Sequence, residues 1–461
     1  MYDTSDTIAA IATPLGESGI GVIRISGSKA YDVGDAIFRN HSGKAGTPLA
    51  QRRDRSVQYG LIVADDGRPV DEVLLLIMKG PHSYTAEDVL EIQCHGGRKA
   101  LEEILGLVLA HGARMANPGE FTQRAFVNGR IDLAQAEAVM DVIQAKSRQG
   151  LTSAVSQLEG RLSKVIGAMR KELTDFITRL EVTIDYPEED LEDITVPDVA
   201  GAIRKQLAAL DVMLKESHDG RIIRDGVMAA IAGTPNAGKS SLLNRLLKED
   251  RAIVTDVPGT TRDVLEEWIS LKGVPVCLVD TAGIRETDDT VEKIGVTKAK
   301  AYMDKADVIL VVIDRSRPLS DEDKAILDET KDKNAFIILN KTDLPAVVAA
   351  ADLEGYGHPV LSVSAGTGEG LDTLKDQLLA QALSHADTAG SALLTNTRHI
   401  ELVRQSREAL QRALDSIENG MPVDCAVVDL REAWDLLGSI TGDTVHDDMV
   451  EEIFSRFCLG K

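Results

Sequence analysis

The octapeptide Gly233 to Ser240 has the residue types and the spacing of a phosphate-binding loop. Its glycines let backbone N–H groups converge on phosphate oxygens, and a following helix adds the partial positive charge of its N-terminus. Lys239 would reach the β- and γ-phosphates, and the Ser240 hydroxyl would bind Mg²⁺. The apolar run 227–232 predicts a buried strand before the loop, and residues 241–247 predict a helix after it. This order of strand, loop and helix is the context that phosphate binding requires.

Further signals follow the loop along the chain. The Thr261 hydroxyl is a candidate second protein ligand of Mg²⁺, and Asp280 can hold the ion through water. Asp343 can accept hydrogen bonds from guanine N1–H and N2–H₂, a pair of donors that adenine lacks. A backbone N–H at Ser364-Ala365 can bond to the guanine oxygen. These signals predict that the nucleotide is GTP rather than ATP.

The residues expected to contact the nucleotide and its ions come from five segments. They are Asn236, Ala237, Gly238, Lys239, Ser240, Ser241, Thr255, Asp256, Val257, Pro258, Gly259, Thr260, Thr261, Asp280, Thr281, Ala282, Gly283, Asn340, Lys341, Asp343, Ser364 and Ala365. We expect these segments to meet at the carboxyl ends of the strands, where open α/β sheets bind their ligands.

The motif leaves open which residue orients the attacking water. Ras-like proteins have a glutamine after the Asp-x-x-Gly glycine, whereas this chain has Ile284. Four carboxylates lie nearby in the sequence: Glu286, Asp288, Asp289 and Glu292. Arg285 is a conceivable charge donor, although a surface role fits it better. Asn236 offers a carbonyl oxygen where a monovalent cation could replace the charge of an arginine finger.

The regions on both sides of this module predict further domains, so the fold class is multidomain, with α/β and α parts. Periodicity gives the following segments: a mixed α/β domain (1–120), a first helical part (121–220), a P-loop domain with a mostly parallel sheet (221–385) and a second helical part (386–461). In the first segment, strands are expected at 20–25, 73–78 and 89–92. In the second, we expect a helix break near Gly150 and a helix from Val196 to His218. The P-loop domain would then be inserted into a helical domain that both flanks form.

Composition limits the class of protein and its partners. The 461 residues carry a net charge of −23, so the chain as a whole should repel nucleic acid. An RNA substrate would therefore need local basic patches or a basic partner. No stretch approaches twenty apolar residues, and the acidic N-terminus has no signal core, which predicts a cytoplasmic protein without a membrane span. The four cysteines are far apart, which disfavours disulfides and structural zinc.

Beyond these local signals, the chain resembles the bacterial tRNA-modification GTPase family MnmE (TrmE) nearly end to end. The segments that carry the resemblance are 6–14, 21–27, 118–126, 132–138, 235–244, 258–263 and 457–461. The central segments are shared with other translation-linked GTPases, whereas the N-terminal runs and the Cys-x-Gly-Lys ending are more specific. A regulatory GTPase of ribosome assembly is the alternative that the P-loop domain alone would permit.

The resemblance implies an N-terminal domain that binds tetrahydrofolate and dimerises, with the P-loop domain inserted in a helical domain. It implies a homodimer that joins a FAD-dependent subunit of the MnmG (GidA) type in a heterotetramer or larger assembly. Together they would add a carboxymethylaminomethyl or aminomethyl group to C5 of the wobble uridine of tRNA, with a one-carbon unit from a 5,10-methylene or 5-formyl folate.

The resemblance also assigns residues. K⁺ would be bound by Asn236, Thr255, Val257 and Thr260, and the catalytic residues would be Glu292, Lys239 and Thr261. Glu292 is chosen as the residue that orients water because 291–295 matches the corresponding family segment. Folate contacts carry over to Arg24, Glu87, Arg130 and Lys461. Members of the family often have lysine at the position of Arg130, and arginine keeps the charge but not the geometry.

Overall fold

The computed structural model describes residues 5–41, 46–185, 196–249, 266–280, 300–382, 394–445 and 447–461. Its elements up to the glycine loop are β1 (Ile8–Ile11), β2 (Gly21–Ser26), α1 (Ala30–Ile37), β3 (Phe38–Asn40), β4 (Ser56–Val63), β5 (Pro69–Met78), β6 (Val89–Cys94), α2 (Arg98–Ala110), β7 (Arg114–Met115), α3 (Glu120–Val127), α4 (Leu133–Gln144), α5 (Arg148–Leu158), α6 (Arg161–Asp185), α7 (Val196–Asp225) and β8 (Val227–Ala232). The elements after the loop are α8 (Lys239–Glu249), β9 (Glu266–Leu271), β10 (Val274–Asp280), β11 (Val308–Asp314), α9 (Asp321–Thr330), β12 (Ala335–Asn340), β13 (Val360–Ser362), α10 (Leu371–Ala382), α11 (Thr397–Glu418), α12 (Val423–Thr441) and α13 (Asp447–Ser455). Short 3₁₀ turns lie at Leu49–Gln51 and Ala350–Tyr356.

The chain divides into two compact units. One combines Met1–Met140 with Gly438–Lys461, and the other is Asp141–Leu437. The C-terminal residues therefore belong to the same unit as the N-terminal sheet. Among the described residues, no helix is long and apolar enough to cross a membrane.

The sheet of the first unit has the strand order β3-β4-β5-β6-β2-β1-β7. Neighbouring strands are antiparallel except β1 and β7, which are parallel. The three predicted strands correspond to β2, β5 and β6, whereas the sequence pattern did not predict β1, β3, β4 or β7. Gly60 interrupts the pattern of β4 for a packing reason, because a Cβ there would lie 2.1 Å from the carbonyl oxygen of Arg39 on β3.

Aromatic packing and a close backbone contact hold the C-terminal residues in this unit. The Phe454 ring lies 6.2 Å from the Phe126 ring and 5.0 Å from the Phe457 ring, measured between centroids. Gly460 has a φ of +87°, and a Cβ there would lie 2.5 Å from the carbonyl oxygen of Ile11 on β1. Only glycine fits this approach without strain, so the motif that ends the chain positions Lys461 next to the sheet.

In the second unit, the described strands form a sheet with the order β13-β12-β11-β8-β10-β9. Every neighbouring pair is parallel except the edge pair β9 and β10. β10, β11 and β12 are buried along their whole length because helices cover both faces, which explains their continuous apolar sequences. The carboxyl ends of β8, β10, β11 and β12 consequently share one edge.

The helices of this unit confirm one prediction and extend another. The helix break expected near Gly150 lies at 145–147, between the end of α4 at Gln144 and the start of α5 at Arg148, and Gly150 itself lies inside α5. Ser147 caps α5, and its Oγ accepts a hydrogen bond of 3.0 Å from the Gly150 N–H. Gly150 is a packing residue, because a Cβ there would lie 3.1 Å from the carbonyl oxygen of Ile223 on α7. The helix expected over 196–218 is longer and continues to Asp225.

Candidate nucleotide site and a second cationic site

The glycine loop connects β8 to α8, and three of its residues have a positive φ. Gly233, Asn236 and Gly238 have positive φ values of +147°, +62° and +101°. The side chain of Lys239 folds back under the loop, and its Nζ donates to the carbonyl oxygens of Gly233 and Thr234, each at 2.7 Å. Lys239 is 5% exposed, so its ammonium group is held in place within the loop.

A hydroxyl and a carboxylate meet next to this loop. Ser240 is the second residue of α8, and its Oγ lies 3.2 Å from Oδ2 of Asp280 at the end of β10. The parallel register pairs Asp280 with Ile231 of β8, which brings the end of β10 level with the start of the loop. Oxygen ligands of these two kinds are the ones that Mg²⁺ prefers. Ser240 and Asp280 therefore fit a magnesium site.

Asn340 joins the glycine loop to the segment expected to contact guanine. Its Nδ2 donates to the carbonyl oxygen of Ala237 at 2.9 Å, and its Oδ1 accepts from the Ala365 N–H at 3.1 Å. Asn340 is 1% exposed, and a Cβ on Gly238 would lie 2.1 Å from its Nδ2. The glycine is thus required for the approach of this amide as well as for the phosphate loop.

The carboxylate of Asp343, which is expected to recognise guanine, is oriented from the neighbouring loop. The buried hydroxyl of Ser364 donates to Oδ1 of Asp343 at 2.5 Å and accepts from the Thr367 N–H at 3.1 Å. Asp343 is exposed, so its carboxylate remains accessible to a base. These contacts support its expected role as an acceptor for guanine N–H groups.

Lys341 has a partner that sequence reasoning missed. Its Nζ donates to Oδ2 of Asp314 at 2.6 Å, and its backbone has a φ of +65°. Burial alone would raise the pKa of Asp314, but hydrogen bonds from Lys341 and Ser316 outweigh burial and lower it. Asp314 ends β11 as Asn340 ends β12, and the register pairs them directly. Asp314 could have been predicted from the sequence, because it is a charged residue at the end of a buried strand.

The predicted residues divide into two groups. Those at the described edge of the sheet are Asn236, Ala237, Gly238, Lys239, Ser240, Ser241, Asp280, Asn340, Lys341, Asp343, Ser364 and Ala365. The others, Thr255, Asp256, Val257, Pro258, Gly259, Thr260, Thr261, Thr281, Ala282, Gly283 and Glu292, lie outside the described residues. The described part of the chain therefore includes the phosphate loop, Asp280 and the segments expected to contact guanine.

The first unit contains a second cluster, which we call the cationic site. It consists of Arg24 and Arg130 around the ring of Tyr84, with Lys461 close enough to Arg24 to interact with its charge. The guanidinium carbons of Arg24 and Arg130 lie 4.9 Å and 5.1 Å from the Tyr84 ring centroid. Arg24 also donates to Glu91 at 2.8 Å and to the carbonyl oxygen of Gly460 at 3.1 Å. Burial, reinforced by the charge of Arg24, lowers the pKa of the Lys461 ammonium group.

Glu87 is held by groups that sequence reasoning did not identify. Ser26 lies two residues after Arg24, on the same face of β2, and its Oγ donates to Glu87 Oε2 at 2.6 Å. The buried Arg124 donates from Nη1 to both Glu87 oxygens, at 3.2 and 3.3 Å. Sequence reasoning also missed Tyr84, which lies between the two cationic-site arginines. A tyrosine in a connecting segment gives no sequence signal of this role.

The second unit thus contains the arrangement that defines a P-loop domain of the GTPase class, in which one sheet edge carries both a phosphate loop and a guanine pocket. Comparison with known proteins places the whole chain more narrowly. A family model of the GTP-binding protein TrmE N-terminus matches residues 7–130, and a model of the MnmE helical domain matches residues 133–458. The chain belongs to the MnmE family of tRNA modification GTPases.

Relatives over the full length support this membership. The tRNA modification GTPase MnmE of Lactiplantibacillus plantarum is 46% identical, over 99% of this chain and 98% of its own. That of Clostridioides difficile is 47% identical, over 99% of both chains. Among solved structures, the G domain of the T. maritima FeoB iron transporter aligns with 34% of this chain and 99% of its own, at 30% identity and a TM-score of 0.28.

Proposed function

We propose that the protein hydrolyses GTP with Mg²⁺ and K⁺ as one step in modifying the wobble uridine of tRNA. The observation that carries GTP hydrolysis is the meeting of Lys239, the Ser240–Asp280 pair and the Ser364–Asp343 pair at one edge of a parallel sheet. Phosphate and guanine contacts on one rigid edge give both affinity for GTP and discrimination against ATP.

Each residue of the proposed nucleotide site has a separate role. Lys239 neutralises charge that develops on the β- and γ-phosphate oxygens. Its hydrogen bonds to two loop carbonyl oxygens orient its ammonium group before the substrate binds. Ser240 and Thr261 would hold Mg²⁺ directly, and Asp280 would hold it through water. The ion would supply positive charge that stabilises the developing phosphate charge. Glu292 orients the attacking water, since Ile284 has no polar atom to do so.

Asn236 is the residue of the described loop that we assign to K⁺. Its positive φ places it at the bend of the loop, directly before the residues that cradle the phosphates. Thr255, Val257 and Thr260 are the other proposed ligands, the valine through its backbone carbonyl. A monovalent cation at this position would supply the charge that other GTPases obtain from an arginine finger.

The test is the rate of GTP hydrolysis in KCl and in NaCl at equal ionic strength. We expect hydrolysis to be about tenfold or more faster in KCl. Asn236→Ala should abolish the difference between the two salts, whereas the control Asn244→Ala, which changes an exposed asparagine on α8, should retain it. Equal rates in both salts would refute the K⁺ assignment, and no hydrolysis in either salt would refute the GTPase proposal itself.

We assign the cationic site to a tetrahydrofolate derivative, in the 5,10-methylene or the 5-formyl form. A folate combines an aromatic ring system with carboxylates, and the site combines two guanidinium groups, a half-buried ammonium group and the Tyr84 ring. The Glu87 carboxylate, held by Ser26 and Arg124, can accept from the N–H donors of a pterin. The match in charge and shape supports this ligand class.

The proposed partners are a second copy of the chain, a FAD-dependent subunit of the MnmG (GidA) type and tRNA. An apolar patch on β4 and β5 supports the homodimer: Val57, Tyr59 and Leu74 are 56%, 52% and 41% exposed, and Tyr59 lies directly opposite Leu74. The net charge of −23 is consistent with a basic partner that supplies most of the tRNA contacts.

A further inference from the structure

Thr234 links the glycine loop to a buried carboxylate on α9. The Thr234 hydroxyl donates to Oδ1 of Asp323 at 2.7 Å. Thr234 is 4% exposed and Asp323 is 1% exposed, so water has little access to this hydrogen bond. Asp323 is the third residue of α9, and it also accepts from the Ser320 N–H at 3.0 Å and from the Ser320 hydroxyl at 2.7 Å. The start of α9 is thereby fixed to the start of the glycine loop.

Arg317 closes this network from the solvent side. Its Nη2 donates to the Thr234 hydroxyl oxygen at 2.7 Å, and its Nη1 lies 3.0 Å from Oδ2 of Asp323. The two arms of one guanidinium group thus hold the loop and the helix together, which a lysine could not do with the same geometry. Burial alone would raise the pKa of Asp323, but the hydrogen bonds from Ser320 and Thr234 and the charge of Arg317 lower it. The carboxylate is therefore ionised at neutral pH.

The backbone of Thr234 contacts Lys239 of the glycine loop. The Thr234 carbonyl oxygen accepts from Lys239 Nζ at 2.7 Å, as does the carbonyl oxygen of Gly233. Gly233 packs closely against β11, where a Cβ would lie 2.5 Å from the carbonyl oxygen of Val312. Thr234 carries the second acceptor of Lys239, and its hydroxyl group connects that part of the loop to Asp323 and Arg317.

We propose that Arg317 and Asp323 are positioning residues for GTP hydrolysis, which act through Thr234 to hold the ammonium group of Lys239 against the phosphates. This inference rests on the proposed GTPase function and adds residues outside the nucleotide-binding segments. It follows from the chain of contacts from Arg317 and Asp323 to the Thr234 hydroxyl, and from the Thr234 carbonyl to Lys239. We call the contacts of Arg317 and Asp323 with the Thr234 hydroxyl the clamp. A small displacement of a catalytic group can lower the rate by a large factor, so loss of the clamp should lower the turnover rate.

The first test is steady-state GTP hydrolysis by Arg317→Gln, a substitution at a partly exposed side chain that should fold normally. We expect kcat to fall about tenfold, which corresponds to one well-placed hydrogen bond. KM should change much less, because the contacts to guanine are untouched. Arg317→Lys should remain impaired, since it keeps the charge but not the two-armed geometry. Full activity in Arg317→Lys would mean that only charge matters and would overturn the clamp.

A double-mutant cycle then tests whether Arg317 acts through Thr234. Thr234→Val removes the hydroxyl and leaves Arg317 next to Asp323. The double variant Thr234→Val, Arg317→Gln should be no slower than the slower single variant, because both changes break the same connection. Rate losses that multiply would show that the two residues act independently and would refute the proposal.

Two controls separate this inference from the function on which it rests. The first control is Arg404→Gln, which removes an arginine of another ion-pair network, on α11. The Arg404 side chain lies 2.6 Å from Glu401 and 2.5 Å from Glu408, and its loss should leave kcat unchanged. Thermal unfolding without nucleotide reports any purely structural role: a lower Tm with unchanged kcat would overturn the proposal. A wild-type protein that does not hydrolyse GTP would refute the proposed function, whereas an active wild type with an equally active Arg317→Gln would refute only the clamp.

Discussion

Removing the Ser364 hydroxyl should weaken GTP binding without disturbing the phosphate loop. Ser364→Ala removes the 2.5 Å hydrogen bond that the Ser364 hydroxyl donates to the charged carboxylate of Asp343. Such a bond contributes about 1.5–3 kcal/mol, but the exposed Asp343 can regain part of that from water. A net loss of about 1.5 kcal/mol remains, and it corresponds to a roughly tenfold higher Kd. The Thr367 N–H also loses its acceptor, so a modest decrease in Tm should accompany the change.

Fluorescence titration with methylanthraniloyl derivatives of GTP and ATP measures this effect. The loss should be confined to GTP, because Asp343 is the proposed acceptor for guanine and the phosphate contacts are common to both nucleotides. Ser362→Ala is the matched control, since Ser362 is exposed on β13 and two residues away. Unchanged GTP affinity in Ser364→Ala would refute the reasoning. An equal loss for GTP and ATP would do so as well, because it would place the defect in the phosphate loop.

Two further predictions concern charges outside the phosphate loop. Arg130→Gln should weaken the binding of 5-formyltetrahydrofolate about tenfold, because one of the two guanidinium groups beside Tyr84 is lost. The control Arg53→Gln, in an exposed loop, should leave the affinity unchanged. Calorimetry measures both affinities, and equal values for Arg130→Gln and the wild type would show that Arg130 is not part of the site. Lys341→Met should make the protein more sensitive to acid, because it removes a cation that lowers the pKa of Asp314. A carboxyl with a lowered folded-state pKa stabilises the fold above its unfolded pKa and loses that contribution as the pH falls. The midpoint of acid unfolding should therefore move to higher pH, and an unchanged midpoint would contradict the assigned role of the Lys341–Asp314 pair.

The nucleotide segments could be identified from the sequence because their chemistry is local. A glycine loop between a strand and a helix binds phosphate through its own backbone, so the residue types and spacing of Gly233 to Ser240 are enough to predict it. The continuous apolar runs of β10, β11 and β12 likewise indicate strands buried on both faces. The MnmE family membership follows from motifs of the same local kind.

The partners of these residues depend on contacts between distant parts of the chain. Nothing in the sequence near Thr234 indicates that Asp323, 89 residues later, accepts its hydroxyl. Tyr84 and Arg124 were missed for the same reason, since each acts through a neighbour from another strand or helix. The packing role of Gly150 was missed as well, because the clash that it avoids is with Ile223 on a different helix.

The sequence by itself identified the segments expected to bind phosphate and guanine, because backbone geometry and residue type suffice to predict that chemistry. Only the tertiary structure decided which side chains hold those segments in position, because a hydrogen bond between residues far apart in the chain exists only after the strands and helices have packed. The clamp on Thr234 and the arginine pair around Tyr84 are both of this second kind.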